Sequence, residues 1–205
     1  MMVKVCGITN RDDALAAAAC GVSALGFNFY PKSPRYVAVE AAQELLAVVP
    51  RNVLKVGLFV NEAPACVAEV AARLSLDVVQ LHGEWKRGQT PFLAEKGSVP
   101  FSVWLGVRVT AGFRIEDLDC VEAEAFLLDT PAADLYGGTG QTFDWSLARG
   151  ARRPVILAGG LDETNVRKAI EAAEPWGVDA CSRLESSPGR KDHRKMESFI
   201  KAALG

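Results

Sequence analysis

The chain has 205 residues, 49% of them hydrophobic and 23% charged, and its 23 basic and 25 acidic side chains leave a formal net charge of −2. That length suits one sizeable core in a single domain over residues 1–205, and the composition is that of a globular protein rather than a disordered chain. A near-neutral chain without a basic block is a poor match to nucleic acid, and no run of about 18 apolar residues offers a membrane span.

The segment "MMVKVCGITN" begins directly with a strand-like run rather than with the charged and apolar regions of a signal peptide. The five cysteines, Cys6, Cys20, Cys66, Cys120 and Cys181, are odd in number and contain no CxxC pair, and only two histidines accompany them. Both facts speak against a structural zinc site and for a reducing, cytoplasmic setting.

In chain order, short runs rich in Val, Leu, Ile and Phe alternate with longer Ala-rich segments. The pattern predicts strands at Met2–Val5, Ala24–Phe29, Leu54–Phe59, Val78–Leu81, Phe101–Val107, Ala125–Leu128, Val155–Ala158 and Val178–Cys181. It predicts helices near Arg11–Cys20, Val39–Val49, Ala63–Leu74, Gly88–Glu95, Ile115–Leu118, Trp145–Ala148, Glu163–Ala173 and Lys191–Leu204. Asn10 reads as the cap of the first helix and Gly21 as its stop, and Asp162 as the cap of the seventh.

Eight such units, each of roughly 25 residues, belong to the α/β class with a parallel sheet buried on both faces. They close into a (β/α)₈ barrel or form an open doubly wound sheet. An open dinucleotide-binding sheet carries GxGxxG after its first strand, where this chain has "CGITN", so a single compact (β/α)₈ TIM barrel is the expected fold.

In such a barrel the chemistry gathers at the C-terminal strand ends. There stand Cys6, "YPKSPRY", "QLHG", "FLLD", "AGGL" and "CSRLE". Cys6 is a buried small hydrophobe or a reactive thiol. Asp129 is a general acid or base if burial raises its pKa, or a loop hydrogen-bonding residue. Arg35, between two prolines and a tyrosine, forks onto an anion or is merely solvated, and Lys32 is read as solvated. Gly159 and Gly160, with Ser182 after the eighth strand, either bind phosphate through backbone N–H groups or are plain turn chemistry. His82 and Gln80 lie at the pocket, with His82 read as structural, and His193 is read as a surface residue.

Eight segments together, "KVCGITN", "ALGFNFYPKSPRYV", "VGLFVNE", "VVQLHGE", "FLLDT", "YGGTGQTFDW", "LAGGLDETNV" and "PGRKD", resemble the phosphoribosylanthranilate isomerase family over essentially the whole chain. The resemblance implies a barrel acting on a small phosphosugar, without metal or cofactor, in an Amadori rearrangement of tryptophan biosynthesis. It implies Cys6 as general base, Asp129 as general acid, Arg35 on the anthranilate carboxylate, and Gly159, Gly160 and Ser182 on the phosphate. A monomer is the default assembly, with a homodimer as the alternative.

One stretch departs from the family pattern. Where "SSG" is usual this chain has Cys181, Ser182 and Arg183. A side chain at Arg183 costs backbone freedom near the phosphate. Its guanidinium either compensates by meeting the phosphate or carboxylate, or points away. Two other readings compete: a histidine-pathway isomerase of the same barrel class, which uses two aspartates, and a phosphometabolite-binding barrel without activity.

Overall fold

In the computed structural model, eight parallel strands close into a barrel: β1 (Met2–Val5), β2 (Ala24–Asn28), β3 (Leu54–Val60), β4 (Val78–His82), β5 (Ser102–Arg108), β6 (Ala125–Asp129), β7 (Val155–Leu157) and β8 (Gly177–Ala180). The structure describes residues 1–83, 99–130 and 142–205. Every predicted strand is present with its ends within one residue of the expected positions. The seam closes between β8 and β1, with Val3 opposite Val178, Lys4 opposite Asp179 and Val5 opposite Ala180.

Among the described residues five α-helices accompany the barrel: α1 (Arg11–Ala19), α2 (Val39–Ala47), α3 (Pro64–Leu74), α4 (Val166–Ala173) and α5 (His193–Leu204). The segments predicted as helices near Ile115 and Trp145 are short 3₁₀ turns, Ile115–Cys120 and Trp145–Ala148. The helix predicted at Gly88–Glu95, and most of "YGGTGQTFDW", lie outside the described residues.

Two helix starts differ from expectation. Asp162 does not cap α4, which begins three residues later than predicted after Asn165. Instead the Asn165 side chain accepts from Asp162 N at 2.9 Å and donates to Gly160 O at 2.9 Å, so the polar residues tie the loop after β7 into a turn. At the last helix, Lys191 belongs to a small hairpin of β9 (Glu185–Ser187) and β10 (Arg190–Lys191), and Asp192 caps α5 by accepting from Arg194 N and Lys195 N. Asn10 caps α1 as expected, accepting from Asp13 N at 2.9 Å.

Strand alternation sends one set of side chains outward to the helices and the other into the barrel. The outward set, including Val3, Val5, Leu25, Phe27, Val79 and Leu81, forms the main core with Phe199 and Ile200 of α5. The inward set is layered. Met2, Ala24, Val56, Val78, Trp104, Ala125 and Ile156 fill the N-terminal end, and Trp104 packs edge-on against Trp176 with centroids 5.8 Å apart. Above that apolar plug the inward positions turn polar: Lys4, Asn28, Gln80, His82 and Asp179 are all buried. Polar groups at the mouth therefore stand on a dry floor, where charge interactions are stronger and desolvation costs more than in water.

Candidate active site

Cys6 follows directly from β1. It is 6% exposed and its N–H donates to Ala180 O at 2.9 Å, which continues the β1–β8 ladder by one residue. The chain then turns at Gly7, with φ +73°, where a Cβ would lie 2.7 Å from Arg35 Cδ and 2.8 Å from Cys181 Sγ. Only glycine lets both side chains close over the end of β1. Two residues below Cys6 on the same face, Lys4 Nζ donates to Asp179 Oδ1 at 2.9 Å, fully buried. Lys4 and Cys6 converge over Gly26 of β2, where a Cβ would meet Cys6 Sγ at 2.7 Å and Lys4 Nζ at 3.1 Å. Burial works against the Lys4 ammonium, but Asp179 and Cys6 outweigh it and keep Lys4 charged.

Cys6 is held well below the ordinary thiol range, first by the hydrogen bond from Cys181 and then, against burial, by the charges of Lys4 and Lys191. Asp129, the last residue of β6, moves the other way. Burial pushes its carboxyl up to about 6, although Oδ1 accepts from Thr130 N at 2.8 Å. The cavity between them places a thiol biased toward thiolate and a carboxyl biased toward its protonated form around one space.

Arg35 lies in the loop after β2, braced by Ser33 Oγ, which accepts from Arg35 N and from Asn28 Nδ2 at 3.1 Å each. Its guanidinium forks onto Glu185, with Nε donating to Oε1 at 2.8 Å and Nη2 to Oε2 at 2.7 Å. That bidentate bond raises Arg35 further into its charged range and fixes the plane of the guanidinium, leaving the Nη1 edge to meet a ligand. Burial opposes ionisation of Glu185, but Arg35 and Lys191 outweigh it and hold its carboxyl low.

Gly159 and Gly160 follow β7 with φ +80° and +65°. A Cβ on Gly159 would stand 2.8 Å from Asp129 Oδ1, so a bare backbone is needed here for the loop to pass the carboxylate. Ser182 opens a 3₁₀ turn after β8 (Ser182–Leu184). The Arg183 guanidinium is half exposed and lies 3.7 Å from Asp162 Oδ2, spanning the loops after β7 and β8. Gln80 and His82, two apart on β4, meet through Gln80 Nε2 and His82 Nε2 at 2.6 Å. Burial first, then Lys4 and Arg108, lowers His82 to about 3, so its ring is neutral and not a proton carrier near neutrality.

Cys6, Arg35, Gln80, His82, Asp129, Gly159, Gly160, Ser182 and Arg183 thus all line one cavity at the C-terminal mouth of the barrel. Lys32 is exposed, as read from the sequence. His193 is half exposed, as expected of a surface residue, and pairs with Asp13 at 2.9 Å. Among the described residues, no group of three or more His, Cys, Asp or Glu side chains is spaced to hold a metal ion. Four supporting residues were missed in the sequence: Lys4, Asp179, Glu185 and Lys191. A lysine inside "MVKV" and an aspartate inside "GVDA", each two residues before a cysteine, carried a signal that could have found the first two.

A closed parallel barrel with such a cavity at its C-terminal mouth defines a (β/α)₈-barrel enzyme. The family model described as N-(5′-phosphoribosyl)anthranilate (PRA) isomerase matches residues 3–202. The N-(5′-phosphoribosyl)anthranilate isomerase of Solibacter usitatus is 52% identical over 208 residues, covering 100% of both chains. A crystal structure of phosphoribosyl anthranilate isomerase in complex with reduced 1-(o-carboxyphenylamino)-1-deoxyribulose 5-phosphate superposes with a TM-score of 0.83 at 38% identity, covering 100% of this chain and 99% of the other. Monomers generated from the dimeric enzyme of Thermotoga maritima superpose with a TM-score of 0.83 at 39% identity and the same coverage. The chain belongs to the N-(5′-phosphoribosyl)anthranilate isomerase family, the isomerases of tryptophan biosynthesis.

Proposed function

We propose that this chain converts N-(5′-phosphoribosyl)anthranilate to 1-(o-carboxyphenylamino)-1-deoxyribulose 5-phosphate, as one domain over residues 1–205, with Asp129 as general acid and Cys6 as general base. The observation that carries the reading is the inverted ionisation across one cavity: a thiol pushed down and a carboxyl pushed up. In water near pH 7 the thiol holds its proton and the carboxyl does not. The reaction needs the opposite.

The protonated Asp129 carboxyl gives its proton to the furanose ring oxygen as the C1′–O4′ bond breaks, and the anilino nitrogen supplies electrons to form an iminium. The iminium acidifies the C2′ hydrogen. The Cys6 thiolate takes that proton, and the electron pair left behind forms the C1′=C2′ bond of an enolamine. Tautomerisation follows, the 2′-hydroxyl losing a proton as C1′ gains one, which gives the ketose and returns Asp129 to its acid and Cys6 to its thiolate. Each positioned proton transfer supplies about 10²–10⁴-fold.

Arg35, its plane fixed by Glu185, presents its remaining edge to the anthranilate carboxylate. The phosphate is taken by backbone N–H groups around Gly159, Gly160 and Ser182, with Arg183 beside them. Gln80 Oε1 is buried without a hydrogen-bond partner among the described residues and is free to accept from a ribose hydroxyl. Five unpaired cysteines support a cytoplasmic setting, and the dimeric Thermotoga maritima relative makes a homodimer the assembly to test by sedimentation.

The test is an anthranilate-fluorescence assay in which the unstable substrate is generated in situ. Wild type is expected to consume it, and Cys6→Ser and Asp129→Asn each to lose about 10²–10⁴-fold in kcat. An inert wild type that still binds a product analogue would point instead to a binding barrel.

A further inference from the structure

We infer that Glu185 is a specificity-determining positioning residue: from a hairpin outside the strand–helix repeat, it holds Arg35 so that the mouth selects substrates whose aglycone carries a carboxylate. The inference deepens the proposed function and rests on Arg35 being the group that meets that carboxylate. Arg35 lines the cavity, whereas Glu185 and Lys191 do not, so Glu185 acts through Arg35 rather than on the ligand. The Glu185 side chain is 4% exposed and accepts from Arg35 at both oxygens, from Nε at 2.8 Å and from Nη2 at 2.7 Å. Its Oε1 also accepts from Lys191 Nζ at 3.1 Å and from Gly189 N at 3.3 Å, with Cys181 Sγ at 4.0 Å. A carboxylate offers about four acceptor sites, and donors from the protein occupy them.

Within this cluster two cations, Arg35 and Lys191, share one anion, which leaves a single positive charge in surplus. The Lys191 side chain is fully buried and also donates to the Cys181 carbonyl at 3.2 Å. The surplus is therefore presented by Arg35, which faces the cavity, and one cation there matches one carboxylate. The fork decides where that cation points. A free arginine side chain has many rotamers, and Glu185 supplies in advance the ordering that a bound carboxylate would otherwise have to impose. The anchor is itself held. Lys191 N donates to Asp13 Oδ2 at 2.9 Å, Thr9 Oγ1 donates to Gly189 O, and Asp192 N donates to Leu184 O at 2.8 Å. The hairpin is thus tied to α1 and to the loops after β1 and β8. At its tip Gly189, with φ +80°, passes so near the Arg35 loop that a Cβ would lie 3.3 Å from Pro34 O.

The experiment measures Kd by calorimetry for two inert product analogues: reduced 1-(o-carboxyphenylamino)-1-deoxyribulose 5-phosphate, and the same molecule without its carboxyl group. The ratio of the two Kd values isolates the carboxylate contact and needs no turnover. Wild type is expected to favour the carboxylated analogue about 10–100-fold. In Glu185→Gln that preference is expected to fall about tenfold, while Kd for the analogue without the carboxyl moves less than about twofold. Glu185→Gln/Lys191→Met removes both charges of the buried pair, so it leaves no lone ammonium to unfold the chain and is expected to lose the preference equally. In an Arg35→Met background, where the preference is already lost, Glu185→Gln is expected to change the ratio no further. A preference kept in both Glu185 variants would overturn the inference. Equal weakening of both analogues would do so too, since it marks a merely structural role, as would a further drop in the Arg35→Met background. The assignment of Arg35 to the carboxylate fails on a separate reading, a full preference in Arg35→Met alone, and the inference then falls with it.

Discussion

On the β1–β8 side of the mouth, Cys6 stands within a web of charge: Lys4 bound to Asp179, Lys191 bound to Glu185, and Arg35 forked onto the same Glu185. On the other side, Asp129 ends β6 beside Leu127 and Ala158, with the glycine loop after β7 passing close to it. Both residues occupy equivalent places, the C-terminal ends of buried strands. The Cys181 hydrogen bond and the charges of Lys4 and Lys191 lower the thiol, and burial raises the carboxyl. Opposite surroundings at like positions thus shift the thiol and the carboxyl in opposite directions around one cavity, which is what the proposed base and acid require.

The largest effect is expected from breaking the charged side at its base. Lys4→Met leaves the Asp179 carboxylate buried without its ammonium, at a cost of about 3–5 kcal/mol in urea unfolding. The orphaned carboxyl has its pKa raised above the unfolded value, so the deficit shrinks as pH falls and its proton is taken up, and grows as pH rises. A loss under about 1 kcal/mol at neutral pH would show that the pair contributes little.

Next is Arg35→Met, expected to raise KM about 10–100-fold with a smaller change in kcat, as loss of a charged hydrogen bond to a bound carboxylate does. An unchanged KM would remove Arg35 from substrate recognition. The pH profile of kcat/KM sharpens the comparison from both sides. With Cys6 as the proposed base and Asp129 as the proposed acid, the thiolate is lost as pH falls through the lowered range of Cys6 and the acid as pH rises through about 6, so the profile is expected to be a bell with its alkaline limb set by the carboxyl. An alkaline limb that survives unmoved in Asp129→Glu would assign it elsewhere. The smallest effect is expected at Arg183→Gly. Its pairing with Asp162 is half exposed and loose, so KM should change about two- to fivefold with kcat nearly constant. A loss confined to kcat would mean Arg183 acts on the chemical step.

The strand ends were legible because parallel strands buried on both faces leave near-continuous apolar runs, and the residue that breaks each run marks the mouth of the barrel. Cys6, Asp129 and Gly159 stand at or just past such ends. The start of α4 was misread because Asp162 and Asn165 are both residues that cap helices, and which one closes a turn depends on where Gly160 O stands in space. The hairpin of β9 and β10 hid inside a charged stretch, "ESSPGRK", that reads equally as the approach to α5. Glu185 and Lys191 were not legible because their contacts, with Arg35 from the distant loop after β2 and with Cys181 through the β9–β10 hairpin, exist only in the folded chain.

The most direct test of the inverted ionisation is difference infrared spectroscopy of wild type against Asp129→Asn, following the protonated carboxyl band from about pH 4.5 to 8. The account predicts a band belonging to Asp129 that persists above pH 5 and titrates near 6. A carboxyl already fully ionised at pH 5, as an ordinary aspartate is, would contradict it.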